Sequence, residues 1–567
     1  MRFSMIKPVL LALAICLSVN GCATRALAPV EVNLVAINDF HGQLEAHDKT
    51  YAFKGEPKRT IRVGGIDTLG GALKAWRAED PQLLLVGAGD LLGATPAMSS
   101  MWADEPTVEA MNLLGLRLSS VGNHEFDRGT AELLRQQNGG CVSPSPGKAC
   151  KLRAQFGGAQ FAYLSANVVD AITGTPLLPP YRIEEVKGVR IAFIGAVLRN
   201  TEQMVSPAGI ASVRFLDEVA SINRWAAEIR KQDVATIVLL IHEGGTTDEQ
   251  FDQVDCSRLK GPIVDIVKAL DPAIRLVISA HSHQGYQCKI DGRTVTQAES
   301  FGHVLTRIKL SIDPQSRSVA DIEVRNVLME QGRFAADPLL ATLLAEVKGR
   351  SEVVLQRPVA RLAVPRISDV LDAAGESPLG DIATDAQLAA TRALGAQLVF
   401  INHKSLRGEL VGSLDGASYS ATYAQVAVTH PYGNTLVLMT LTGAQIRAVL
   451  EQQNWLASES SGGRRMLQVS DGFSYRWDAQ RAAGSRVVPG SMQLNGAAMA
   501  DQQSYRIAIN NFIAQGGDGF TVFKEGTALL DTGILDLDAL LNYLAAREQA
   551  GKPVGSEQSA GRIIHRH

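Results

Sequence analysis

Five short stretches in the first 300 residues carry imidazoles, carboxylates and amides at spacings that suit metal ligation. They are Asn38-Asp39-Phe40-His41-Gly42, Gly87-Ala88-Gly89-Asp90, Gly122-Asn123-His124-Glu125-Phe126-Asp127, His242-Glu243-Gly244-Gly245 and Ala280-His281-Ser282-His283. Each alone has an ordinary explanation. Asp90 after its glycines could cap a helix, and a histidine closing an apolar run, as His242 does, is more often a core or surface histidine. Five such endings, rich in His, Asp and Asn and poor in Lys, are not explained by caps. Together they supply the parts of a two-metal centre, whose chemistry is the activation of water. Imidazole with carboxylate suits zinc, manganese or iron better than magnesium or calcium. Asp39 and His41 stand two apart, as do His281 and His283, so an extended backbone would turn both members of each pair to one side.

Short apolar runs lead into these stretches, over 32–37, 83–86, 116–121, 235–241 and 274–279, with two more at 161–166 and 191–197. Most are rich in Val, Ile and Leu, as buried strands are. Amphipathic stretches such as 217–231 and 263–270 follow several of them. The alternation predicts an α/β layered domain, in which ligands collect beyond the carboxyl ends of the strands. At 567 residues the chain is too long for one ordinary core, so two domains are expected. Leu339, Leu340, Leu343, Leu344 and Val347 predict a helix over 336–357 that connects the domains or closes the first. A formal net charge of −3 gives no reason to expect a nucleic-acid polymer as partner.

The first 22 residues have the layout of an export signal: Arg2 and Lys7, then an apolar run over 8–19 too short to span a bilayer comfortably. Val19-Asn20-Gly21-Cys22 resembles a bacterial lipobox. On that reading Cys22 is acylated and anchors the protein to a membrane, with Ala23 favouring the outer one. An ordinary cleavable signal is the alternative, because Asn20 is not the usual small residue. Either way the protein is expected in the periplasm or at the cell surface. Cys141, Cys150, Cys256 and Cys288 would then meet an oxidising compartment. They predict two disulfides, Cys141–Cys150 across a short loop and Cys256–Cys288.

Asp-x-His-Gly, Gly-Asp, Gly-Asn-His-Glu-x-Asp, a lone strand-end histidine and a terminal His-x-His resemble the calcineurin-like metallophosphatases. Their order, and the second domain, narrow the resemblance to the 5′-nucleotidase family that includes UDP-sugar hydrolases, over about residues 30–545. The resemblance implies a four-layer α/β/β/α domain over 30–330, the connector helix, and a smaller α/β substrate-binding domain over 358–545. The polar tail, 546–567, is expected to be disordered. Two divalent ions, zinc, manganese or a mixed pair, are implied as well. One would lie on Asp39, His41, Asp90 and His283, the other on Asp90, Asn123, His242 and His281, with Asp90 bridging. A carboxylate can serve both ions at once where a neutral imidazole cannot, and Asn123 adds a donor without adding charge. Hydroxide activated by the pair would attack phosphorus. His124, paired with Asp127, would stabilise phosphoryl charge or protonate the leaving oxygen, and Glu125 would support the site. Two departures remove no ligand: Arg128 stands where an aromatic is common, and Ala280 where glycine is usual.

In the second half, Asn402-His403-Lys404-Ser405-Leu406-Arg407 resembles the family's Asn-x-Gly-Gly-Ile-Arg loop without its central glycines. That places Asn402 and Arg407 on the substrate's ribose and phosphate, which the planar guanidinium suits. His430-Pro431-Tyr432-Gly433-Asn434 and the loop from Phe512 to Asp518-Gly519 resemble those that sandwich a nucleobase. Phe512 and Tyr432 are thereby assigned to a flat apolar clamp, with Asn434 and Asp518 beside it. Residues 369–375 lack the arginines common there in the family, and Arg366 is out of register, so phosphate contacts from that side are fewer. The implied activity is release of phosphate from nucleotides outside the cytoplasm. The nearest alternative keeps the chemistry and changes the substrate to 2′,3′-cyclic or 3′-nucleotides, UDP-sugars or a thiosulfate ester. An alternative of another class is a lipoprotein that binds nucleotides or a surface without catalysis. Oligomeric state is not legible.

Overall fold

The computed structural model of the protein describes residues 28–53, 57–205, 207–416, 418–454 and 465–566. The leader and Cys22 lie outside them. Strands β1 (Val30–Ile37), β2 (Leu84–Ala88), β3 (Leu116–Ser120) and β4 (Ala162–Leu164) pair in parallel, extended beyond β1 by the antiparallel hairpin Val304–Asp313 and Ser318–Leu328. A second sheet holds β5 (Val189–Val197), β6 (Thr236–His242), β7 (Ile274–Ile278) and β8 (Arg293–Ala298), also parallel, with antiparallel edges at Tyr181–Val186 and Gly285–Ile290.

The pleat explains how strands such as β1, β6 and β7 can bury apolar residues on both faces. Val32, Leu34 and Ala36 of β1 face a core between the sheets, shared with Val238 and Leu240 of β6 and Leu276 and Ile278 of β7. Val35 and Ile37 face outward, against α1 (Ile66–Glu79) and α2 (Glu105–Leu114). On the far side Ile237, Leu239 and Ile241 meet α3 (Glu218–Ile229) and α4 (Pro262–Ala269). The result is the expected four-layer α/β/β/α arrangement, in which both sheets present their carboxyl ends to one edge.

Helix α5 (Pro338–Leu355) is capped by Asp337, whose carboxylate accepts the N–H groups of Leu339 and Leu340. Its buried Leu340, Leu343, Val347 and Leu355 belong to the first domain's core, while Tyr423 and Ala424 from the second domain pack on the same core. By packing it closes the first domain, and by connection it leads into the second. Cys141 is joined to Cys150 and Cys256 to Cys288, each pair with Cα atoms 5.5 Å apart, as the cysteine count predicts.

The second domain is built on a five-stranded sheet that includes β9 (Leu398–Asn402), β10 (Thr435–Thr442) and β11 (Ser504–Asn510). Helices α6 (Pro378–Thr391) and α7 (Asp536–Gln549) pack together beside it through Leu379, Ala383, Ala386, Leu540 and Leu544. A separate core forms around Phe400, Phe473, Tyr475 and Trp477.

The polar tail is ordered where it is described, contrary to the expectation from composition. Val554 bridges to Leu362, and Ile563–Arg566 pairs in parallel with Phe473–Asp478. Arg562 donates to both carboxylate oxygens of Asp385 at 2.8 Å, and Glu376 accepts the N–H groups of Arg562 and Ile563. The tail docks through a guanidinium meeting sheltered carboxylates and through single buried residues, Val554 and Ile563, neither of which a search for apolar runs detects. Arg562→Ala should cost about 3 kcal/mol by taking the guanidinium from Asp385 and Asp381, read as a lower midpoint in urea denaturation. An unchanged midpoint would show that the tail contributes nothing to stability.

Candidate active site

All seven residues expected to hold metal arise at or just beyond the carboxyl ends of β1, β2, β3, β6 and β7. The backbone there is not the extended one that the spacing suggested. Asp39, His41, Asp90, His281 and His283 have φ between 47° and 71°. The paired ligands are therefore presented by left-handed turns and not by the pleat of a strand. Side-chain-bearing residues adopt that region at a cost of about 1 kcal/mol or more each and keep it only where neighbours over-determine it.

The neighbours are visible. The Asp39 N–H donates to the Gly89 carbonyl at 3.1 Å, the His41 N–H to the Asp90 carbonyl at 2.9 Å, and the His281 N–H to the Asp39 carboxylate at 3.0 Å. The buried Glu125 carboxylate accepts the N–H groups of Asp90, Leu91, Leu92 and Gly122 at 2.9, 2.8, 3.1 and 2.6 Å. This is the supporting role expected for Glu125, and it holds the turn that carries Asp90. Glycine is required at 122 because an added Cβ would lie 2.1 Å from Asp90 Oδ1.

The turns bring the seven side chains together. Asp39, His41 and His283 converge on one point and Asp90, His242 and His281 on another, and His124 also comes close to His41 and Asp90 between them. His283 Nε2 lies 3.5 Å from Asp39 Oδ1 and 3.0 Å from His41 Nε2. Asp90 Oδ2 lies 2.9 Å from His242 Nε2 and 3.8 Å from His41 Nε2, so this carboxylate faces both groups. Asn123 Oδ1 is 3.1 Å from His281 Nδ1.

The donor set fits a pair of cations. His41 Nδ1 donates to the Gly93 carbonyl and His242 Nδ1 to the Ala88 carbonyl, each at 2.9 Å, so both rings turn Nε2 to the centre. The buried His242 Nε2 makes no directed hydrogen bond although Asp90 Oδ2 is 2.9 Å away. Both atoms are aimed at a shared point, as ligands of one ion are.

The electrostatics show how tightly these groups are coupled. Burial pushes Asp39 up to about 7. Burial opposes charge on His242 too, yet Asp90 and Asp39 push it up to about 10. Asp90 is held well below the usual carboxylate range by His242 and His124, against the effect of burial. Burial takes His281 and His283 down to about 3, with His242 adding to the first and Arg407 to the second.

His124 lies at the edge of this centre. Its Nδ1 is 2.8 Å from Asp127 Oδ2, and its N–H donates to Asp90 Oδ1 at 2.9 Å. Burial works against the imidazolium, but Asp127 and Asp90 prevail and raise its pKa.

Between the domains a cleft of about 580 Å³ sets His124 and Asp127 opposite Asn402, Arg407, Tyr432, Asn434, Phe512 and Asp518. All six residues assigned to substrate thus line one space. Asn402 donates from Nδ2 to Asp518 Oδ2 at 2.7 Å and accepts from Asn510 at 2.9 Å, while Asn434 leans toward Asp536. Arg407 donates to the Tyr432 hydroxyl at 3.1 Å. The Tyr432 ring lies parallel to that of His124, 6.0 Å away with 12° between the planes. Among the described residues no ring contact joins Tyr432 to Phe512. Arg366 is exposed and paired with Glu409, outside the cleft.

Two supporting residues escaped the sequence reading. Asn38 donates to Asp39 Oδ2 and to the Glu299 carbonyl, both at 2.7 Å, and so aims the carboxylate. Phe301 packs its ring 5.7 Å from His41 and 5.5 Å from His283. Adjacency to Asp39 was the one available signal for Asn38, and Phe301 had none.

Comparison with known proteins follows the same division of the chain. The family model described as calcineurin-like phosphoesterase matches residues 32–285, and that described as 5′-nucleotidase, C-terminal domain, matches residues 358–525. The endonuclease YhcR of Bacillus subtilis (strain 168) is 28% identical over 499 residues, 87% of this chain, and the chain spans 38% of that longer protein. A 5′-nucleotidase of Vibrio cholerae is 23% identical across 100% of both chains. The crystal structure of a 5′-nucleotidase precursor from Thermus thermophilus superposes with a TM-score of 0.72 at 26% identity, covering 94% of this chain and 99% of its own.

Proposed function

The chain belongs to the calcineurin-like metallophosphoesterases that carry a 5′-nucleotidase C-terminal domain, and on that premise we propose that it is an exported two-metal enzyme that releases phosphate from nucleotides. That it is a metal-dependent phosphoester hydrolase follows from the family itself. The observation that carries the finer reading is the cleft. One wall presents Asn123 and His281 from the ligand cluster together with His124, and the far wall offers a guanidinium and an aromatic ring.

A pair of divalent cations on those ligands would supply a nucleophile at neutral pH and neutralise phosphoryl charge. Asp90, which faces both groups, sets their spacing, and neutral Asn123 limits the negative charge that an anionic substrate meets. Arg407 has no carboxylate partner among the described residues, so its donors are left for phosphoryl oxygens. The His124 imidazolium, favoured by Asp127, stabilises charge on those oxygens or gives its proton to the leaving alkoxide. Phe512 presents a face for a base, and the Asn402–Asp518 pair lies beside it for the ribose.

Export is part of the proposal. It is supported by the layout of residues 1–22 and by the two disulfides, which persist in oxidising compartments. Acylation at Cys22 would then hold the enzyme at a membrane, the outer one on the sequence reading.

The test is phosphate release from AMP, 3′-AMP, 2′,3′-cyclic AMP and UDP-glucose by the full chain with added zinc or manganese. AMP is expected to lead by at least about tenfold in kcat/KM, the discrimination that one well-placed phosphoryl contact supplies. A lead for another ester would keep the hydrolase and change its substrate. No release from any of them, with nucleotide affinity intact, would leave a binding protein.

A further inference from the structure

Tyr432 occupies a place in the cleft that a nucleobase clamp does not explain. Its ring covers His124, from the other domain, in a parallel stack at 6.0 Å. Its hydroxyl oxygen accepts a guanidinium N–H of Arg407 at 3.1 Å. Arg407 and Tyr432 line the cleft together with Asn123, His124 and His281, which puts guanidinium and phenol opposite the ligand cluster. Arg407 can only donate, so the phenol oxygen is the acceptor in that contact and its own proton remains to be placed. Among the described residues that proton has no acceptor, and the side chain lines the cleft. Burial raises the phenol's pKa, so the group is a protonated donor at neutral pH. Accepting from a cation polarises the phenol and strengthens it as a donor.

We propose that Tyr432 is a further substrate-contacting residue of the phosphoryl site: its hydroxyl, oriented by Arg407, donates a hydrogen bond to an oxygen of the transferred phosphoryl group, while its ring shields His124. The inference rests on the phosphohydrolase reading above and concerns the hydroxyl, separately from the clamp role expected for the ring. No proton is transferred. The hydrogen bond strengthens as negative charge builds on the oxygen, which is where a fixed donor has its effect.

Tyr432→Phe keeps the ring and removes the donor. Its kinetics are to be measured on AMP and on ribose 5-phosphate, which has no base. The loss of kcat/KM is expected to be at least about tenfold and equal for the two esters within about twofold. In an Arg407→Ala background the same substitution should change the rate by less than about threefold, because the hydroxyl has lost the group that orients it. Thermal midpoints of the single and double variants confirm that each is folded. A phenylalanine variant within twofold of the parent on both esters overturns the inference while leaving the hydrolase intact. A loss confined to AMP also overturns it and returns the residue to base binding. A parent protein that cleaves neither ester sinks the phosphohydrolase reading and this inference with it.

Discussion

Asp90→Asn should lower kcat/KM by a factor on the order of 10⁴, about 5.5 kcal/mol of transition-state stabilisation. The amide is nearly the same shape, so the left-handed turn should persist in the grip of Glu125, and His124 can still donate its N–H to the remaining oxygen. What disappears is the negative charge lying 2.9 Å from His242 and 3.8 Å from His41. Without it the carboxylate left between the groups is Asp39, 3.5 Å from His283 but 4.0 Å from His242. Metal content measured by mass spectrometry should fall together with phosphate release. A variant that keeps both near the level of the parent would rule out the arrangement in which Asp90 serves two ions.

His124→Ala should act differently, removing about 10²- to 10⁴-fold from kcat while metal content and KM stay near those of the parent. The distinction arises because His41 and Asp90, which His124 adjoins, each belong to a ligand group that is complete without it. The pH profile gives a second readout. Asp127 and Asp90 raise the His124 pKa in spite of burial. A raised pKa favours the charged form, so activity carried by the imidazolium is present at lower pH and is lost as pH rises through that value. Asp127→Asn withdraws the main support for the charge and should move the alkaline limb to lower pH. A limb that stays in place would assign the descent to another group.

The legibility of this protein in its sequence was uneven, for identifiable reasons. Most of the parallel strands were plain because they are buried on both faces and run through Val, Ile and Leu. Strand β8 was not, because its buried side chains include Arg293, Thr294, Thr296 and Gln297. The hairpin Val304–Asp313 and Ser318–Leu328 was not, because Lys309 and Ser311 alternate with Leu310 and Ile312 on a half-covered edge. The tail was misjudged because Arg562 holds it by meeting Asp385 and not by burying an apolar run. Phe301 was invisible because an aromatic side chain carries no sign of the two imidazoles it will support.

Local composition was enough to specify the kind of chemistry, since His, Asp and Asn after apolar runs are ligands wherever those runs end as strands in a sheet. It was also enough to pair the cysteines and to divide the chain. How the ligands are aimed depended on contacts between distant segments: the His281 N–H on the Asp39 carboxylate joins positions 242 apart, and Glu125 reaches back 35 positions to fix Asp90. Those contacts set the left-handed turns, select which nitrogen of each histidine faces the centre, and seat Tyr432 against His124. They are long-range steric and hydrogen-bonding constraints, and no periodicity within a single segment encodes them.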